Sequence, residues 1–354
     1  MNKYIYLFAS VIIVSSCNTD DVITEELEDH YRAKTATSVA EQTIVFEYTP
    51  APGQFINETK TGGFDGTQTT PESAIAYATQ RMKEKNFVSL GGFGGYIVVG
   101  FDHSIDNTGS YDFGIEGNSF SGSSEPGIVW VMQDKNGNGM PDETWYELAG
   151  SETGKSETIQ NYAVTYYRPS DPKQPVKWTD NQGNNGEIDY LAQFHRQDYY
   201  YPLWIKEDSY TLTGTCLNAI NYDASGNGSY WVNKEYDWGY VDNFSPIDRL
   251  TDDDNYNAGV NANYFKISNA IDATGNKWDD EYIGSLGLYE GFLNTSYGEA
   301  WAYWDDQTAN YDSAYMNWLV SKLQKALADE NAARAERGEG PLMRSDGTEL
   351  KIGK

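Results

Sequence analysis

The chain has 354 residues, 53 acidic and 25 basic, for a formal net charge of −28. That balance argues against nucleic acid, whose binding draws on Lys and Arg against phosphates, and against adhesion to anionic lipid by charge alone. The length suffices for one large or two ordinary domains, and 28 Tyr with 10 Trp point to aromatic core and cross-strand pairs.

Met1–Ser16 carries one Lys, Lys3, and an apolar run from Tyr4 to Val14. The run is too short for a stable bilayer-spanning helix, so residues 1–17 are expected to be a signal peptide closing on its Cys. Val14-Ser15-Ser16-Cys17 resembles the lipobox of bacterial lipoproteins, which implies that Cys17 becomes an acylated first residue. A secreted protein with a chance Cys is the alternative. Asn18-Thr19-Asp20-Asp21 resembles the surface-export signal of Bacteroidetes lipoproteins. It implies an outer-membrane protein, exposed on the cell surface and held to the membrane through its lipid alone. Residues 18–42 are acidic, Thr-rich and poor in apolar content, and are expected to be a flexible tether. With Cys17 acylated, Cys216 is left without an internal partner and is expected to be a buried small hydrophobe.

A β-sandwich domain is expected over residues 43–280. Thr43–Tyr48 is a short strand. Thr70-Pro71-Glu72-Ser73 starts a helix, with Thr as cap and Pro at the first position, running to about Lys85 with Ala74, Ile75, Ala78 and Met82 on one face. The organising stretch is 88–151. Tyr96–Phe101 and Ile128–Met132 are continuous apolar runs, as expected of strands buried on both sides, while Tyr111–Gly117 alternates. Trp145–Leu148, Ile159–Tyr167, the strand and turn of Val176–Gly183, and Tyr210–Leu217 continue the strand pattern. Trp238–Asn243 and Phe265–Asp272 are expected to close the sheets. Short strands with Gly, Asn and Asp turns make the fold mainly β, a jelly roll or β-sandwich with a short N-terminal helix. Residues 281–354 are expected to be a C-terminal helical extension, because Met316, Leu319, Val320, Leu323 and Leu327 fall on one face of a helix over Tyr311–Arg337.

The loop after Met132 has calcium-site spacing. Asp134, Asn136 and Asn138 alternate, Gly139 permits a sharp turn, Met140 offers its carbonyl and Asp142 follows. The twelfth position is Trp145 rather than Glu, so this is no EF-hand. The expectation is a structural calcium that clamps two strands; the alternative is an Asn-Gly hairpin loop.

Little else suggests chemistry. The sequence has no H-E-x-x-H, C-x-x-C, G-x-S-x-G or phosphate loop, and of three His, His30 lies in the tether while His103 and His195 are far apart. His103 beside Asp102 is expected to be a hydrogen-bonding residue in a loop. Glu125, before Pro126, is expected to fix a turn or join the ion site. His195 opens a dense aromatic loop with Tyr199, Tyr200, Tyr201 and Trp204; with Trp231 and Trp238 these could form a stacking platform for a sugar or corrinoid, or simply pack a sandwich edge.

Several phrases carry a family resemblance: Ser89-Leu90-Gly91-Gly92-Phe93-Gly94-Gly95, Gly100-Phe101-Asp102-His103, Glu116-Gly117-Asn118-Ser119-Phe120, Ser124-Glu125-Pro126-Gly127, Trp145–Ser151 and Trp238–Asn243. Over roughly Thr43 to Asp272 the chain resembles cell-surface lipoproteins of gut Bacteroidetes, whose core is similar to galactose-binding-like (discoidin-type) jelly rolls. Some members resemble accessory proteins of outer-membrane cobalamin uptake. The resemblance implies a non-catalytic protein that captures a small molecule or glycan beside a transporter complex. A glycan-active hydrolase and an adhesion or scaffold protein are the alternatives. Where the family continues into a last core strand, this chain runs Trp278–Ser285 and then into helical pattern.

Overall fold

The computed structural model describes residues 30–250 apart from 61, 228 and 229, then 261–275 and 277, the backbones of two later strands, and scattered residues between 328 and 341. In chain order the elements are β1 (Ile44–Thr49), α1 (Pro71–Lys83), β2 (Val88–Ser89), β3 (Tyr96–Asp106), β4 (Phe113–Gly117), β5 (Gly127–Met132), β6 (Tyr146–Leu148), β7 (Ile159–Tyr167), β8 (Val176–Asp180) and β9 (Asn185–Ile188). There follow β10 (Ser209–Cys216), β11 (Tyr222–Asp223), β12 (Trp231–Val232), β13 (Arg249–Leu250), β14 (Asn261–Phe265), a 3-10 turn at Ile267–Asn269, β15 (Ala270–Ile271), β16 (Tyr282–Glu290) and β17 (Trp301–Asp305).

The described strands form antiparallel sheets. One has the order β1-β3-β16-β5-β6-β15, another β13-β14-β4-β17-β2, and a third β10-β7-β8-β9; β11 and β12 make a separate hairpin. The main core is built from both larger sheets and from α1: Val45, Ile97, Val99, Val129 and Val131 come from one sheet, Val88, Phe113, Ile115 and Phe265 from the other. Helix α1 starts as its sequence requires. The Thr70 side chain accepts from Ser73 N, the Ser73 side chain bonds back, and Pro71 occupies the first turn. Ala74, Tyr77, Ala78 and Met82 are its buried residues. A second core lies against the third sheet, from Phe93, Tyr162, Tyr166, Trp178, Tyr200, Tyr201 and Leu212. The glycine-rich stretch joins the two cores by close backbone approach. Gly91 has φ +70, and a Cβ on it would collide with the Ala51 carbonyl.

Three expectations need correction. The C-terminal extension is not helical from residue 281: β16 fills the gap between β3 and β5, with Leu286 opposite both Val99 and Val131. Two apolar strands that are not neighbours each leave an open hydrogen-bonding edge, and β16 satisfies both. Strand β17 pairs with β4 and β2. Of the helix expected over Tyr311–Arg337, Ala328, Asn331, Ala332, Arg334 and Ala335 have helical backbone, Arg337 is in a turn, and the rest lies outside the described residues.

The tether is shorter than residues 18–42. From residue 30 the chain lies along β3 as a strap: Arg32 N donates to Ser104 Oγ at 3.0 Å, Ser104 N to the Arg32 carbonyl at 2.9 Å, and Val39 N to Asp102 Oδ2 at 3.3 Å. These bonds satisfy backbone that would otherwise be solvated. Residues 18–29 and Cys17 lie outside the described residues.

Trp238–Asn243 is a loop rather than a strand; it bonds to β5 through the Gly127–Val241 bridge, and its Tyr240 packs in one cluster with Ile128. Asp242 has φ +51, which breaks extended geometry, and its Oδ1 accepts from Asn118 N and Ser119 N at 2.7 Å each. Among the described residues no helix is long and apolar enough to cross a membrane.

A candidate cation loop and two aromatic faces

The loop between β5 and β6 is organised by its own side chains. Gly137 and Gly139 adopt φ of +70 and +71, which lets the chain wrap on itself. Asp134, 5 % exposed, accepts from Gly139 N through Oδ2 at 2.9 Å. Asn136 Oδ1 accepts from Asn138 N at 2.9 Å, and Asn138 Oδ1 from Met140 N at 2.7 Å. The amide nitrogens of Asn136 and Asn138 donate to the two oxygens of Asp142 at 3.2 and 3.0 Å. Hydrogen bonds from Asn138, and then from Asn136, hold the exposed Asp142 carboxyl below its usual range. Met140 contributes backbone; its side chain is exposed.

Two oxygens in this loop are unsatisfied. Asp134 Oδ1 is buried and receives no donor. Glu143, which the sequence pattern passes over, accepts from Asn136 N through Oε1 at 3.0 Å and leaves Oε2 buried without a donor. Leaving a buried acceptor unmet costs about 1–3 kcal/mol, and more when it is charged. A hard cation with oxygen ligands would remove that cost, and an all-oxygen donor set fits calcium better than zinc. Among the described residues no three His, Cys, Asp or Glu side chains converge as metal ligands. Any ion here would therefore be held by few carboxylates together with amide and carbonyl oxygens.

The aromatic loop is a core element. Tyr200 is 1 %, Tyr201 0 % and Trp204 2 % exposed. Trp204 stacks with Tyr48 and Phe64, both at 5.8 Å. Tyr200 Oη donates to the His195 carbonyl at 2.9 Å, Tyr201 Oη to the Glu207 carbonyl at 2.9 Å, and Asn57 Nδ2 to the carbonyls of Tyr199 and Tyr201. The expectation that these rings present a shelf to solvent is thus corrected: Tyr200 and Tyr201 gain more by packing against the third sheet, and Trp204 by packing into the main core. Tyr199 is half-buried. His195 packs edge-on against Phe55 at 4.7 Å, with Nδ1 3.8 Å from Glu58 Oε1. Burial pushes its pKa down, and Glu58 opposes that shift.

The open aromatic face is elsewhere. In the β11–β12 hairpin Tyr222 pairs with Val232, and Ala224 N donates to the Tyr230 carbonyl at 2.8 Å. Strand alternation puts Tyr222, Tyr230 and Val232 on one face. Tyr222 and Tyr230 are exposed, Tyr230 to 64 %, and Phe120 is exposed on the turn whose Gly122 meets Val232. Trp231 is half-buried on the other face of the hairpin, and Trp238 is half-buried in its loop. The structure thus separates the expected ligand residues: Trp231 lies on the hairpin, and Tyr200 and Trp204 lie in the interior. His103 is buried on β3, not in a loop, with Nδ1 2.6 Å from Asp102 Oδ1. Glu125 holds a turn through its backbone N, which donates to the Asp242 carbonyl at 2.9 Å. Cys216 is buried, its Sγ 3.6 Å from the Leu217 carbonyl.

No family model matches the chain, and no curated protein does.

Proposed function

We propose that the chain is a non-catalytic outer-membrane lipoprotein, anchored through acylated Cys17 and exposed on the cell surface. Its jelly-roll-type sandwich captures a corrinoid or glycan for an uptake complex, and a structural calcium in the Asp134–Asp142 loop, with Asn136, Asn138 and the Met140 carbonyl, rigidifies it. The observation that carries the capture reading is the exposed face of Tyr222 and Tyr230 on the β11–β12 hairpin, beside Phe120. Rings open to solvent give a sugar or corrinoid face something to stack on. Lys234, its Nζ 5.4 Å from the Tyr222 ring centre, adds a polar donor at the rim. The calcium reading is supported by the donor-free Asp134 oxygen.

The test is calorimetric titration of the purified protein with cyanocobalamin and a glycan panel, with and without calcium. One of them is expected to bind, and Tyr230→Ala is expected to weaken it about tenfold, the effect of losing roughly 1.4 kcal/mol of stacking. Binding unaffected by Tyr230→Ala would remove the hairpin from the reading. Burial of Tyr200, Tyr201 and Trp204 favours a second reading, an adhesion or scaffold protein without a small ligand. A panel in which nothing binds would select it.

A further inference from the structure

The strap and the cation loop meet. The His30 ring lies against Gly137 so closely that a Cβ on that glycine would run into it. Arg32, two residues on, donates from Nη1 to the Phe101 carbonyl at 2.9 Å. Arg32, Asp102, Asp134 and Gly139 line one pocket of about 260 Å³, together with the start of β1. One wall of that pocket is thus the strap, and another is the loop residue with the donor-free oxygen. The far end of the strap is tied to the body by the 3.1 Å ion pair of Glu41 with Lys85.

Resting on the calcium reading above, we propose that Glu143 joins Asp134 as a carboxylate ligand, Asp142 staying bonded to the Asn136 and Asn138 amides, and that the bound divalent cation locks the strap to the sandwich. Asp134 and Glu143 play matching parts. Each spends one oxygen on a loop N–H, Gly139 for Asp134 and Asn136 for Glu143, and each keeps the other oxygen buried and free of donors. The N–H bonds orient the carboxylates before an ion arrives, as preorganised hard-cation sites require. Without the ion the two carboxylates have only those N–H groups to hold them in a buried place, and the cheapest relief is for the loop to open toward water. Opening moves Gly137 away from the His30 ring and removes one wall of the pocket that holds Arg32. Cation occupancy thereby sets whether the segment nearest the tether lies along β3 or comes away from it.

The experiment is calcium calorimetry on the full chain, together with trypsin cleavage after Lys34, an exposed strap residue. Calcium is expected to bind, to slow cleavage about tenfold, and to lose that effect on chelation. Glu143→Gln, which keeps an acceptor for Asn136 N, is expected to weaken calcium at least tenfold and to restore fast cleavage. His30→Ala, which removes no ligand, is expected to speed cleavage and, because the coupling is reciprocal, to weaken calcium as well, by less than Glu143→Gln does. Calcium that binds equally well to Glu143→Gln, or that leaves cleavage unchanged, overturns the inference and spares the calcium reading. Absence of calcium binding overturns both.

Discussion

The aromatic loop at 195–204 and the oxygen-rich loop at 134–143 both stood out in sequence for dense functional-looking side chains, and they turn out to be opposites. The aromatic loop closes on itself. The phenols of Tyr200 and Tyr201 donate to nearby carbonyls, and the rings of Tyr200, Tyr201 and Trp204 fill the two cores. Of the polar atoms it leaves unmet, Trp204 Nε1 and Gln197 Oε1 are neutral, and His195 Nδ1 faces Glu58 at 3.8 Å. The oxygen-rich loop leaves carboxylate oxygens unmet. A neutral orphan is tolerable within a well-packed core, whereas an anionic one asks for a partner from outside. Abundance of a residue type therefore says less about function than whether its polar atoms are satisfied.

The comparison can be broken most sharply at Trp204. Trp204→Ala is expected to cost about 3–5 kcal/mol, as for other buried aromatic truncations, read as the shift in a denaturation midpoint. Calcium affinity should stay the same. A stable variant with altered ligand binding would make the aromatic loop a site after all.

Asp248 sharpens the contrast, because it is a buried carboxylate that does have donors. Gly239 N and Asn263 Nδ2 bond its two oxygens, and burial still pushes its pKa from 3.8 up to about 6. Between those values the native state keeps a proton that the unfolded chain has released. Stability should therefore fall as pH rises from about 4 to 6, by about 3 kcal/mol for a shift of roughly two units. Asp248→Asn should flatten that slope in denaturation curves taken across the range. A slope that persists in the variant would assign the effect to another group.

The smallest effect expected is that of calcium itself. At one hundred times its dissociation constant it should stabilise by about 2.7 kcal/mol, seen as a rise in melting temperature that a chelator reverses. A melting temperature flat across a calcium titration would put the oxygen-rich loop in the same class as the aromatic one.

Local patterns were legible wherever a local rule decided the outcome. Ile159–Tyr167 is a strand over the whole stretch that its composition suggested, and Thr70 caps α1. The central apolar runs became β3 and β5, although β3 continues through His103 to Asp106. Strand β16 was hidden because Gly284 and Gly287 weaken its propensity; its place depends on two distant edges that only the folded sheet creates. Glu143 was hidden because it sits outside the alternating spacing, and its role is visible only in the bond it makes back to Asn136 N. Whether Tyr200 faced water or the interior could not be decided from composition, since Tyr suits either.

The middle position of β16 has a consequence for the order of assembly. The strands on either side of it are complete by residue 132, yet the ribbon that joins them begins at Tyr282. A nascent chain must keep both of those edges unjoined while about 150 further residues are made. Exposed strand edges are the sites at which foreign strands add. The protein is thus most vulnerable to aggregation late in its synthesis, and a holding chaperone would have most to protect in the interval before β16 arrives.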